Sequence, residues 1–176
     1  MQRAYFSEIQ RFSNPGLWIF IPVVFTVAIA PTAVSLYSQL VLDLPNGENP
    51  SNTMSLILIL VVLVLMCIGT LLLFKKMKLV IEIKSDGVYY RYPPFILKKR
   101  SFMKSEIDSF EIRKYKPISE YSGWGIRNSW SKSGSAFNVK GNIGLQLYLK
   151  NGKKVLFGTQ RPDAIKKAMH KMMKGD

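Results

Sequence analysis

Few side chains in this sequence have the types and spacing that acid–base, nucleophilic or metal chemistry requires. Glu106, Asp108 and Glu111 form a cluster of carboxylates, and acid–base catalysis needs two such groups close together. On a strand, however, Glu106 and Asp108 face one way and Glu111 faces the other, as on a solvated strand. The single histidine, His170, lies among lysines, and the single cysteine, Cys67, lies in an apolar run. We therefore expect no enzymatic activity, no metal site and no cofactor.

The segment EYSGWGIRNSW, at residues 120–130, has the composition of a binding surface. Trp and Arg are enriched in binding hot spots, and exposed aromatic side chains also anchor at bilayer surfaces. Two glycines bracket Trp124 and predict a tight bend, because glycine accepts a positive φ. Two interpretations remain open: Trp124 fills the interior of a β-structure, or Trp124, Arg127 and Trp130 bind a partner. We expect a structural corner that leads into a recognition loop.

Two apolar runs, residues 17–42 and 54–74, contain no charged side chain. A helix needs about 20 apolar residues to cross a bilayer core of roughly 30 Å, and both runs reach that length. Pro22 and Pro31 in the first run are tolerated in spanning helices. A cleaved signal peptide is the alternative, since residues 28–30 resemble a cleavage site, but the apolar run continues well beyond them. The two runs predict a transmembrane hairpin.

The flanks of the hairpin predict its orientation. Arg3 and Arg11 precede it and three lysines follow it, whereas the connector has acidic residues and neither Lys nor Arg. Because positive residues stay on the cytoplasmic side, we expect a multi-pass protein of the bacterial inner membrane with both termini in the cytoplasm. The predicted segments are a cytoplasmic N-terminal segment (1–14), transmembrane helix 1 (15–42), an extracytoplasmic loop (43–53), transmembrane helix 2 (54–74) and a cytoplasmic domain (75–176).

The positive charge is concentrated in the predicted cytoplasmic domain. The chain has a net charge of +14, and 23 of its 25 Lys and Arg residues follow Phe74. The segment RKYK (113–116) could combine phosphate contacts with base stacking, but anionic lipid is the nearer partner of a tethered domain, and we expect no nucleic acid. Each Lys or Arg close to such a leaflet contributes roughly 1 kcal/mol. The predicted lipid-contact residues are Lys75, Lys76, Lys78, Lys98, Lys99 and Arg100.

The cytoplasmic part is predicted to be an all-β domain closed by one helix. Alternating residues and turn signals, including Asn151-Gly152, predict about seven short strands in a small antiparallel sandwich or barrel. After Pro162 the period changes to that of a helix, with Ile165, Ala168, Met169 and Met172 on one apolar stripe. The helix is expected to cap the open end of the β-structure, and the alternative is that it lies on a membrane.

Five segments resemble the bacterial pleckstrin-homology (PH)-like proteins of unknown function that carry two N-terminal transmembrane helices. They are DGVYYRYPPF, SEIDSFEIRKYKPI, YSGWGIRNS, SAFNVKGNIGLQLYL and GKKVLFGTQRPDAIKKAM. The resemblance extends over essentially the whole chain. It implies a PH-like barrel or sandwich of about seven strands capped by a C-terminal helix, and it implies no catalytic residues. The loop SDG (85–87) is short and acidic, unlike the basic loop with which eukaryotic PH domains bind inositol phosphates, so that ligand is not expected.

Taken together, these patterns predict a membrane-anchored protein whose PH-like domain is a docking scaffold for protein or lipid at the membrane surface. The expected partners are the membrane itself, through two spans and anionic head groups, and a protein partner or a second copy of the chain. The alternative is a subunit of a membrane transport or envelope-maintenance complex, in which the prolines and hydroxyl groups of the first span serve helix packing.

Overall fold

The computed structural model describes residues 3–13, 15–44, 52–128 and 134–175. The chain divides into two units, one of residues 13–75 and one that joins residues 1–12 to residues 76–176. The first unit contains two long helices, and the second contains all the strands. Trp130 and most of the connector between the helices lie outside the described residues.

The helical unit consists of α1 (Pro15–Val41) and α2 (Thr53–Lys76). Both helices are long and apolar enough to cross a membrane, and only 6% of the most apolar window of each is buried within the protein. Ile21 and Leu56 are the buried residues of these helices. Most apolar side chains of α1 and α2 are therefore not covered by the described part of the chain.

The first sheet has four antiparallel strands in the order β1-β2-β3-β4. These are β1 (Phe6–Arg11), β2 (Lys78–Ile83), β3 (Gly87–Tyr92) and β4 (Ile96–Met103). Strand β1 precedes the helices in sequence and pairs along its whole length with β2, which follows them, from Phe6 opposite Ile83 to Arg11 opposite Lys78. The N-terminal segment, predicted only as a cytoplasmic flank, is thus a strand of the β domain.

The second sheet has five strands in the order β5-β8-β9-β7-β6. They are β5 (Ile107–Lys114), β6 (Gly125–Asn128), β7 (Ser135–Asn138), β8 (Ile143–Leu149) and β9 (Lys154–Gly158). Strands β7 and β9 are parallel, and the other pairs are antiparallel. A short helix, α3 (Pro117–Tyr121), lies between β5 and β6, and a 3₁₀ turn (Lys104–Glu106) joins the two sheets.

The two sheets pack through an aromatic cluster. The Tyr90 ring of the first sheet lies 4.8 Å from the Phe137 ring and 5.0 Å from the Phe157 ring of the second, measured between ring centroids. Phe102 stacks against Tyr90 from the neighbouring strand. Rings at such spacings contribute both apolar burial and favourable edge contacts. This cluster holds the faces of the sheets together.

The C-terminal helix α4 (Pro162–Lys174) is confirmed, and its predicted apolar stripe is buried. The helix packs against β1 and β2 of the first sheet and against β5 and β8 of the second. Its other face carries exposed lysines. The helix therefore covers the side chains that the two sheets leave between them.

The β domain differs from the prediction in three respects, the first being that β7 and β9 pair in parallel whereas an antiparallel structure was predicted. It has nine described strands rather than about seven, because β1 and β6 were not predicted. The sheets also remain open within the described residues, since each ends in edge strands. The prediction of two packed sheets with a C-terminal helix is therefore confirmed, whereas the barrel alternative is not observed.

Candidate docking surfaces

One end of the first sheet is where the chain enters and leaves the two helices. Arg11, which ends β1, pairs with Lys78, which begins β2. The backbone N–H of Lys78 donates to the Pro93 carbonyl at 3.2 Å. That bond brings the turn between β3 and β4 to the same end of the sheet. We call this end, consisting of Arg11, Lys78 and residues 93–98, the hairpin edge.

The hairpin edge carries large apolar side chains that stay in solvent. Phe95 is 58% exposed and Leu97 is 69% exposed, and Lys98 follows them on the exposed start of β4. Pro93 ends β3, because proline has no N–H to donate to a ladder. Exposed apolar side chains beside cations have the composition of a bilayer-surface contact. Neither Phe95 nor Leu97 was singled out from the sequence.

The six lysines and arginines predicted to contact lipid occupy four different settings. Lys75 and Lys76 end α2 and are exposed. Lys98 belongs to the hairpin edge, as does Lys78, the remaining residue of the basic run after α2. Strand rise of about 3.4 Å per residue places Arg100 farther along β4, opposite Tyr90.

Lys99 has a protein partner, because its side chain points to the other face of β4. Its ammonium group forms an ion pair with Glu82 and lies 5.2 Å from the centre of the Tyr89 ring. Glu82 and Tyr89 are opposite each other on β2 and β3. The three consecutive basic residues of β4 therefore do not form one surface.

The predicted corner at Trp124 follows directly from α3. Ser122, at φ 57°, ends the helix in the left-handed region, and Gly123 and Gly125 have φ of 116° and 115°. Only glycine accepts such angles readily, so the chain reverses around Trp124. A Cβ at Gly123 would also lie 3.2 Å from the Arg127 guanidinium. The tight bend expected at this position is present.

The side chain of Trp124 lies at the surface rather than in the core. It is 40% exposed, and its indole N–H donates to the Gly141 carbonyl at 3.1 Å. Arg127 is exposed, and its Nε donates to the Trp124 carbonyl at 3.1 Å. Trp124 and Arg127 are therefore neighbours on one surface, and the interpretation that Trp124 fills the interior does not fit its exposure. The third member of the predicted set, Trp130, lies outside the described residues.

Buried polar contacts connect this corner to the last residue of β3. The Tyr92 hydroxyl donates to the Asn138 carbonyl at 3.1 Å, and the Asn138 carboxamide oxygen accepts the Gly125 N–H at 2.8 Å. Burial raises the pKa of Tyr92 well above its ordinary value, and the nearby Arg127 charge partly offsets that effect. Tyr92 immediately precedes the turn of the hairpin edge, so the Trp124 corner adjoins the same end of the domain.

An ion pair fixes α3 beneath the corner. Arg113 donates to Glu120 at 2.8 Å and to the buried Gln146 carboxamide at 3.1 Å. Partial burial would raise the pKa of Glu120, but hydrogen bonds from Arg113 and from the Lys116 N–H outweigh it, and the pKa is lowered. This pairing anchors the element that aims Trp124, which makes Arg113 a structural cation rather than part of a basic surface.

Two of the three carboxylates considered for catalysis have separate hydrogen-bond partners. Glu106 accepts the Met103 N–H at 2.7 Å, and Glu111 accepts the Tyr148 hydroxyl at 2.5 Å. Asp108 is exposed at an irregularity of β5. His170 lies beside Phe110, with 5.2 Å between the ring centroids. Within the described residues, no three His, Cys, Asp or Glu side chains converge as metal ligands would.

Comparison with known proteins adds no assignment, since the chain matches no family model, no curated protein and no solved structure.

Proposed function

We propose that this protein is a membrane-anchored docking module, in which α1 and α2 cross the membrane as a hairpin and the β domain is held at one surface. The observation that carries the proposal is the pairing of β1 with β2 across the hairpin. Two strands of one sheet must lie on one side of a bilayer, because a sheet inside the hydrocarbon would leave its edges unsatisfied. An even number of crossings between them meets that requirement.

The composition of the helices and their flanks supports the same topology. The apolar side chains of α1 and α2 are mostly uncovered by the protein, and lipid covers such surface without a free-energy penalty. Lys75 and Lys76 at the end of α2 and Arg11 before α1 are basic, whereas the connector has no Lys or Arg. By the positive-inside tendency, the β domain and both termini belong on the cytoplasmic side of a bacterial inner membrane.

The hairpin edge is the surface that meets the bilayer in this proposal. Three residues separate Arg11 from α1, and only Met77 separates β2 from α2. At a reach of about 3.5 Å per residue, these connectors keep the edge close to the membrane surface. Fully burying a Phe or Leu side chain contributes about 1.5–3 kcal/mol, and each nearby cation adds roughly 1 kcal/mol on an anionic leaflet.

We place the β domain with the bacterial PH-like membrane proteins, on the resemblance of the sequence and the order of its elements. The seven predicted strands are present in order, and α4 packs against both sheets. Two features depart from the simple arrangement, namely the strand β1 from before the hairpin and the parallel pair of β7 and β9. Both extend the sheets at or near an edge and leave the packed pair of sheets intact.

As a docking module, the protein acts by local concentration. Anchoring makes every later contact of the domain effectively intramolecular, so weak individual contacts suffice. The Trp124 corner adjoins the hairpin edge and presents an amphipathic ring of the kind that settles at bilayer interfaces. We therefore assign Trp124 and Arg127, with Phe95 and Leu97, to the lipid-docking surface.

The test is photo-crosslinking of the full chain in native membranes, with a photoreactive residue in place of Phe95 or Trp124. The control position is Asn151, an exposed residue of the turn after β8. Its neighbour Lys150 donates to the Glu106 carbonyl, beyond the opposite end of β4. We expect lipid adducts at positions 95 and 124 and few at position 151.

Equal lipid labelling at positions 95 and 151 would contradict the assignment of the hairpin edge. A discrete protein adduct at position 124, together with lipid adducts at position 95, would assign the Trp124 corner to protein docking rather than to lipid contact.

A further inference from the structure

A basic groove lies at the other end of β1. It runs between residues 3–5, which lead into β1, and one face of α4, and it has a volume of about 560 Å³. The N–H of Tyr5 donates to the Ile83 carbonyl at 2.8 Å, which places Tyr5 beside the end of β2. Arg11 at the hairpin edge is six residues away along an extended strand, about 20 Å at 3.4 Å per residue.

Three cations line the groove, and no acidic side chain is among its described lining residues. Arg3 comes from the N-terminal segment, and Lys167 and Lys171 come from consecutive turns of α4. Neither Arg3 nor Lys167 forms an ion pair with any residue that the structure describes. Lys171 lies 4.6 Å above the centre of the Tyr5 ring, which orients its ammonium group. Positive charges gathered in a concave site raise the local concentration of anions.

Small side chains make the groove concave. Ala4, Ala164 and Ala168 line it between the cations. A volume of about 560 Å³ falls within the roughly 300–1,000 Å³ of small-molecule sites. A stable protein partner needs an interface of at least about 1,000 Å², and the groove alone is too small to supply it.

We propose that this groove binds a compact, multiply charged anion of the phosphate class. The Arg3 guanidinium can pair with two phosphate oxygens at once, and Lys167 and Lys171 supply point charges on the opposite side. A phosphate group can come from a soluble ester or from a lipid head group, and the length of β1 between the groove and the hairpin edge favours the soluble source. Anion binding in the groove does not depend on the helices crossing a membrane, whereas the choice of the soluble source rests on the proposed function.

Calorimetric titration of the detergent-solubilised full chain with inorganic pyrophosphate tests the proposal. We expect saturable binding that Lys167→Ala weakens about tenfold, the scale of one lost charge-assisted hydrogen bond, and that Lys167→Arg largely restores. Lys166→Ala is the matched control, because Lys166 is exposed on the same helix and carries the same charge but does not line the groove. Non-saturable heats, or equal weakening by Lys166→Ala and Lys167→Ala, would overturn the proposal.

The same titration in lipid nanodiscs distinguishes the two sources of phosphate. Affinity for pyrophosphate that is equal in zwitterionic and anionic nanodiscs assigns the groove to a soluble ester. Two results together would assign the groove to a lipid head group. The apparent affinity for pyrophosphate would be weaker in anionic nanodiscs, and Lys167, but not Lys166, would be protected there from amine-reactive labelling.

Discussion

The two ends of the first sheet are both basic, yet they present different surfaces. At the hairpin edge, cations stand beside Phe95 and Leu97, which are exposed at the β3–β4 turn and at the start of β4. At the groove, cations stand around alanines, which leave a hollow. A projecting apolar side chain fits a soft bilayer surface, and a hollow of fixed size fits a compact anion. The kind of partner that a basic region can bind therefore depends on the side chains that lie between its charges.

The largest expected effect comes from weakening the packing of α4, the helix that forms one side of the groove. Met169 is fully buried, and Met169→Ala should lower the free energy of unfolding by about 2–5 kcal/mol. Urea unfolding followed by tryptophan fluorescence measures this loss. Met173→Ala, on a partly exposed neighbour in the same helix, is the control and should cost little. Comparable losses for the two variants would show that α4 is not held by its apolar stripe.

A second change acts where β1 meets the start of α4. The Glu8 carboxylate accepts the Thr159 hydroxyl at 2.7 Å and the Gln160 N–H at 2.8 Å. Glu8→Ala leaves those donors without their partner and should cost about 1–3 kcal/mol in free energy of unfolding. It should also weaken pyrophosphate binding in the groove while lipid crosslinking at position 95 persists. Ser7→Ala, on the outward face of β1, is the control, and an equal loss there would contradict the role of Glu8.

Next to the hairpin edge, the buried Tyr92 side chain predicts a response of stability to alkaline pH. Its hydroxyl is hydrogen-bonded, and burial raises its pKa above the ordinary value of 10. The folded state therefore favours the neutral phenol. This contribution is complete below about pH 10, where the unfolded tyrosine begins to ionise, and is lost as pH rises above it.

Tyr92→Phe should therefore cost about 1 kcal/mol at neutral pH and make the loss of stability above about pH 10 shallower. Urea unfolding at several pH values compares the variant with the parent chain. Parallel curves for the two proteins would show that another group governs the alkaline loss.

The smallest expected effect distinguishes two adjacent lysines. Lys98→Ala should weaken contact of the hairpin edge with anionic lipid by at most roughly 1 kcal/mol, or about fivefold. Lys99→Ala should have a smaller effect, because Lys99 is paired with Glu82. Lipid crosslinking at position 95 in anionic nanodiscs measures both, and the difference should vanish at high salt, where the charges are screened. Equal effects of the two substitutions would contradict the separate faces of β4.

Local pattern predicted most elements of the domain. The stripe of α4 and the turns at Ser85–Gly87 and Asn151-Gly152 each carry their signal within a few residues, and the structure confirms them. Strand β1 gave no such signal, because its inward residues include Glu8 and Gln10 and its exposed residues include Ile9. The Glu8 carboxylate accepts from Thr159 and Gln160, and the Gln10 amide donates to the Gly158 carbonyl, contacts that no local pattern contains.

The candidate sites were predictable only in part, for the same reason. The sequence indicates the bend at Trp124 and the abundance of lysine. It does not indicate that Arg3 meets Lys167 and Lys171, since their meeting depends on β1 joining the sheet. The exposure of Phe95 and Leu97 likewise depends on which end of the sheet the β3–β4 turn occupies.

The pairing of β1 with β2 also sets the order in which the protein is completed during synthesis. Strand β1 leaves the ribosome before the helices, but its partner β2 follows only after both helices have been made. Until β2 has been made, β1 has no strand to pair with. The hydrogen bonds of Glu8 and Gln10 with residues 158–160 are also still missing. Long-range pairing of this kind forms late, so a finished β domain reports that the whole helical hairpin has already been produced.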